Sequence, residues 1–109
     1  MKRDELLELL ASHQAELVRL GVRSLALFGS VARDEGGPDS DVDLLVEFEE
    51  GQTFDRYASL ASFLEDLLGL RVDLVTRAAV RPFLLSAIEK DTCYVPGLPS
   101  FSGRHPSGV

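Results

Sequence analysis

Residues 25 to 46, LALFGSVARDEGGPDSDVDLLV, restrict what this chain can fold into more than any other stretch. The apolar run Leu25-Ala26-Leu27-Phe28 stops abruptly at Gly29-Ser30, as a buried strand does when a turn follows. A polar, Gly- and Pro-punctuated segment then leads to Ser40-Asp41-Val42-Asp43-Leu44-Leu45-Val46. That second run has strand composition but opens with two carboxylates. Strand side chains alternate faces, so Asp41 and Asp43 point one way while Val42 and Leu44 point the other. Ionised carboxylates on one face repel, and water or a cation must offset the repulsion. Two hard oxygen ligands beside a Gly-Ser turn suit Mg²⁺ carrying phosphates.

Each half of this pattern is generic alone. A DxD in an acidic chain is commonly surface charge, and Gly-Ser after a strand is an ordinary turn. The combination is specific: Gly29-Ser30, then Ala32-Arg33, then Ser40-Asp41-x-Asp43-Leu44, with an apolar strand on each side. It resembles the signature of the minimal (MNT-type) nucleotidyltransferases of the DNA polymerase β superfamily, GSxARG, a short spacer, then SDxDLxV. The spacer length matches as well. One position departs, with Asp34 standing where that pattern has Gly. Asp tolerates left-handed backbone better than most residues, which lets the turn persist.

Length and composition narrow the rest. A chain of 109 residues is expected to form one domain, without room for a second substrate-binding domain. Hydrophobic content of 45% and charged content of 27% describe an ordinary globular chain. No apolar stretch reaches membrane-spanning length, and the start does not lead into a signal-peptide core. A single Cys93 excludes an internal disulfide framework and points to a cytoplasmic setting. The net charge of −7 argues against direct nucleic-acid binding, which needs clustered Lys and Arg.

Periodicity predicts a helix over residues 4 to 20, with Leu6, Leu7, Leu10, Leu17 and Val18 on its apolar stripe and Gly21 as its stop. His13 falls among its polar positions. Strands follow at 24 to 28 and 42 to 48, separated by a short helix and a loop. A helix capped by Thr53 runs to Leu68, with Phe54, Tyr57, Leu60, Phe63 and Leu64 on its apolar face. A third strand spans 70 to 76, a final helix Pro82 to Lys90, and a short extended segment 93 to 95. This order predicts an α/β fold, a small mixed β-sheet with helices packed against it. The domain is expected to cover residues 1 to 95, and 96 to 109, rich in Pro, Gly and Ser, to form a disordered tail.

Three site positions carry two readings each. Gly29 lets a triphosphate approach the backbone and Ser30 adds a hydroxyl donor, or Ser30 caps the helix. Arg33 reaches a phosphate, or pairs with Asp34 or Glu35. Asp73 interrupts the apolar run Val72-Asp73-Leu74 and needs a partner or a cation, unless it faces solvent from an edge strand.

The resemblance implies more than the residues do. It implies the minimal nucleotidyltransferase fold over roughly residues 20 to 95, and Asp73 as the third carboxylate beside Asp41 and Asp43. Two Mg²⁺ ions would then sit across the α-phosphate of a nucleotide, with ATP as donor and AMP transferred to a hydroxyl. Gly29 and Ser30 would hold the departing pyrophosphate. Members of that family typically act as antitoxins paired with a HEPN-domain toxin, and some place AMP on a tyrosine of that toxin. Two rivals stand beside this reading: an antitoxin that silences its partner by docking alone, and a small-molecule nucleotidyltransferase. The oligomeric state is left open.

Overall fold

Strand alternation sorts the apolar side chains of this chain onto the two faces of a single sheet. The computed structural model describes residues 2–35, 41–49, 54–81 and 92–99. In chain order these form α1 (Arg3–Ser12), α2 (Gln14–Arg19), β1 (Val22–Phe28), α3 (Gly29–Ala32), β2 (Val42–Phe48), α4 (Phe54–Leu68), β3 (Val72–Thr76), a 3₁₀ turn (Arg77–Ala79) and β4 (Cys93–Tyr94). The sheet order is β3-β2-β1-β4, with β1 antiparallel to β2 and β4, and β2 parallel to β3. A parallel pair needs a crossover, and α4 supplies it between β2 and β3. The expected α/β fold with a small mixed sheet is therefore the observed one.

One face of the sheet carries Leu25, Leu27, Val42, Leu44 and Leu74. It packs against Leu6 and Leu10 of α1, Leu17 of α2, and Leu60, Leu64 and Leu68 of α4. Ala26 and Leu45 alternate onto the other face with Phe28, Val75 and Tyr94. Asp43 and Asp73 share the parity of Leu45 and Val75, so the same alternation that buries Val42 and Leu44 sends the carboxylates to this second face. The edge strand β3 is pinned to α4. Tyr57 Oη donates to the Leu74 carbonyl at 2.5 Å, and the Val72 amide donates to Glu65 Oε2 at 3.3 Å.

The N-terminal helix is interrupted where one continuous element was expected. Ser12 Oγ donates to the Leu9 carbonyl at 2.7 Å, and His13 Nδ1 lies 3.1 Å from the same oxygen. That carbonyl is the one the His13 amide would take in an α-helix; the amide turns to Leu10 at 3.1 Å instead. The break falls at His13, which is half-buried with its ring edge against Phe63, 6.2 Å between centroids. It also leaves Val18, expected on the apolar stripe, 54% exposed. Phe54, at the start of α4, is 80% exposed in place of packing on the sheet.

Among the described residues no helix is long and apolar enough to cross a membrane. The Thr53 cap and the Pro82 to Lys90 helix lie outside the described residues. Of the stretch expected to be a tail, residues 96 to 99 are described. The Gly97 carbonyl accepts a hydrogen bond from Gln14 Nε2 at 2.8 Å, and Leu98 packs against the helix-side core.

Candidate active site

The end of β1 and the starts of β2 and β3 meet on the second face. Phe28 pairs with Asp43 across the antiparallel ladder, which places Gly29 directly beside that carboxylate. Gly29 has φ +77°, and a Cβ built there would fall on the Asp43 carboxylate, 3.0 Å from its Cγ. Only glycine fits, for reasons of both backbone and space. Asp43 in turn pairs in register with Asp73 on the parallel strand β3. The two carboxylates that the sequence places thirty residues apart are thus cross-strand neighbours.

Their proximity has an electrostatic consequence. Partial burial pushes the Asp43 carboxyl up from its ordinary value, and Asp73 and Asp41 push it further by like-charge repulsion. Arg33 opposes the shift. Asp73 itself is exposed, while Asp41 precedes β2 and lies 3.9 Å from Arg71 Nε, a loose contact with the arginine 83% exposed. Among the described residues no three carboxylate, imidazole or thiol groups close into a metal-holding cluster. Of the five residues singled out in the sequence, Gly29, Asp43 and Asp73 converge, and Asp41 stands at their rim.

Ser30 is the second residue of α3 and does not cap it. Phe28 occupies the N-cap position, with no side-chain cap bond, and the Ser30 hydroxyl has no hydrogen-bond partner among the described residues. Arg33 pairs with Glu35, Nε to Oε1 at 3.1 Å.

The Asp34 departure resolves in the backbone. Asp34 has φ +59°, in the left-handed region that its glycine counterpart would adopt freely. Its amide donates to Val31 O at 3.0 Å and the Glu35 amide donates to Ser30 O at 2.8 Å, the paired bonds of a Schellman turn. Asp34→Ala and Asp34→Gly both remove the carboxylate, so they differ chiefly in backbone strain. The Gly variant is expected to be more stable than the Ala variant by about 1–2 kcal/mol in urea denaturation. Equal stabilities would show that the turn relaxes out of the left-handed region.

Two participants escaped sequence reading. Arg71 sits beside Asp41 through strand geometry alone. Arg3 reaches the turn after α3 from 29 residues away, and no local pattern marks it.

A mixed sheet that sets paired aspartates under a Gly-Ser turn defines a nucleotidyltransferase class. The family model described as nucleotidyltransferase domain matches residues 6–95. The protein adenylyltransferase MntA of Thermococcus cleftensis is 41% identical over 93 residues, spanning 84% of this chain and 94% of that protein. A solved structure described as a candidate minimal nucleotidyltransferase superposes with a TM-score of 0.74 at 39% identity, covering 85% of this chain and 95% of its own. A Shewanella oneidensis MNT antitoxin in complex with its tri-AMPylated HEPN toxin superposes with a TM-score of 0.57. At 21% identity, over 82% of this chain and 71% of that one, the likeness is one of fold. The chain belongs to the nucleotidyltransferase domain family, as one of its minimal members.

Proposed function

We propose that this chain is a protein adenylyltransferase, moving AMP from ATP to a hydroxyl on a HEPN-type partner toxin and so acting as its antitoxin. The observation that carries the reading is the in-register pair Asp43 and Asp73 set against Gly29. Its chain context is 41% identity to a protein adenylyltransferase over nearly the whole length.

The donor set fits Mg²⁺. Asp41, Asp43 and Asp73 offer hard carboxylate oxygens only, and Asp43 sits among like charges that Arg33 opposes but does not cancel. Asp41 completes the set by releasing Arg71, an exposed contact of little energetic weight. When bound, the ions supply charge stabilisation at the α-phosphate and at the attacking and leaving oxygens. Gly29 and Ser30 hold the pyrophosphate portion, Gly29 by admitting it close to the backbone and Ser30 through its unengaged hydroxyl. The partner's hydroxyl oxygen bonds to the α-phosphorus. The bond from that phosphorus to the bridging oxygen breaks, and pyrophosphate leaves with the electron pair. Asp73, the more exposed of the pair, accepts the hydroxyl proton.

The test is to incubate the purified chain with α-labelled ATP and a HEPN-domain partner, with Mg²⁺ or with EDTA. Label is expected on the partner with Mg²⁺ only. Asp73→Asn should retain most Mg·ATP affinity, held by Asp41 and Asp43, yet lose transfer by roughly a hundredfold or more, since activating the hydroxyl is a transition-state task. Neutralisation of the toxin without label, by wild type and variant alike, would replace this reading with docking. Label on a small molecule in place of the partner would replace the acceptor.

A further inference from the structure

The α3 helix has four residues, too few to hold itself together, so each of its carbonyls must find a partner if the Gly29-Ser30 turn is to keep its shape. Three are satisfied locally. Gly29 O accepts from the Arg33 amide at 3.3 Å, Ser30 O from the Glu35 amide at 2.8 Å, and Val31 O from the Asp34 amide at 3.0 Å. The fourth, on buried Ala32, accepts from Arg3 Nη1 at 3.3 Å. The same guanidinium places Nη2 3.4 Å from Asp34 Oδ2, the residue held at positive φ. A fork of donors is suited to this double grip, on a carbonyl and on a carboxylate two residues later. Arg3 Nε also lies 3.3 Å from Oδ1 of its exposed neighbour Asp4.

We propose that Arg3 is a positioning residue for the nucleotide turn: it closes the C-terminal end of α3 from α1 and thereby sets where Gly29 and Ser30 sit against Asp43. This rests on the phosphate role proposed for that turn. The chain of cause runs from Arg3 to Ala32 and Asp34, along one helical turn, to Gly29. Asp34 in place of glycine then has a use, because glycine would satisfy the backbone but leave half of the Arg3 fork without a partner.

The experiment has two arms. Amide hydrogen exchange of the nucleotide-free protein reads the turn directly. Arg3→Met should speed exchange at Arg33, Asp34 and Glu35 roughly tenfold while leaving the β1 and β2 amides unchanged. Asp34→Gly, which keeps the Ala32 contact, should stay close to wild type. Transfer kinetics well below the melting temperature read the consequence. Arg3→Met should raise KM for ATP about fivefold or more with kcat nearly unchanged, and Arg3→Lys should recover part of that loss. Unchanged exchange at the three amides overturns the proposal whatever the enzyme does. Faster exchange with an unaltered KM also overturns it, reducing Arg3 to a structural contact. If the wild type neither binds nor transfers a nucleotide, the functional reading fails, and the exchange arm alone decides whether Arg3 holds the turn.

Discussion

Asp43→Asn is expected to lose AMP transfer by roughly a thousandfold and yet to melt a few degrees higher than wild type at pH 7 without divalent cations. Loss of transfer follows from its central position, between Gly29 and Asp73 and close to Asp41. The gain in stability follows from charge. Burial, then Asp73 and Asp41, raise the Asp43 carboxyl above its ordinary value of 3.8. Below that value the side chain is protonated in both folded and unfolded states, and no penalty exists. As pH rises past it, the unfolded chain ionises first, so the native state binds more protons and stability falls. The fall is complete once pH exceeds the raised native value. Asn carries no charge and should flatten this decline, though partial exposure screens much of the repulsion and keeps the gain small. Wild type should regain the difference when Mg²⁺ is added, and the variant should not. Thermal melts from pH 3.5 to 7, with Mg²⁺ or EDTA, check all of this. A variant less stable than wild type at pH 7 would mean that the carboxylate serves the fold.

Gly29→Ala should be damaging twice over. The residue has φ +77°, where an L side chain is strained by about 1–2 kcal/mol. Its new Cβ would also meet the Asp43 side chain, with Cγ 3.0 Å and Cβ 3.2 Å away. Asp is short, so it cannot swing clear without leaving its position opposite Asp73. The total loss is expected at about 2–4 kcal/mol, with transfer reduced as far as in Asp43→Asn. A double-mutant cycle separates the two terms. In an Asp43→Ala background the collision with the carboxylate disappears, leaving backbone strain and the 3.2 Å contact with the Cβ at position 43, so Gly29→Ala should cost clearly less there. Additive losses would show that Gly29 does not set the Asp43 position.

Much of this was legible before any tertiary structure. Apolar runs ended by Gly29-Ser30 and opened by Asp41-x-Asp43 marked the strands, and the observed β2, Val42–Phe48, has the expected bounds. The reason is that alternation with period two is a local property, and one buried face reports it directly. Asp73 was visible as a carboxylate inside an apolar run for the same reason. The break at His13 was present in the sequence but masked. Leucine spacing continues through it, while the cause is two side chains competing for one carbonyl.

What local pattern could not supply is register and reach. Whether Asp73 stands opposite Asp43 or one residue aside depends on how β3 docks on β2, and only the parallel ladder with α4 above it decides that. Ser30 as a cap or as a free hydroxyl depends on where α3 begins, which the β1–β2 pairing sets at Phe28. Arg3 gripping Ala32 and Asp34 is a contact across 29 residues with no periodicity to announce it. Local pattern marked the strands, their buried face and the carboxylates that depart from it. Which of those groups meet follows from packing between elements, which local chemistry does not encode.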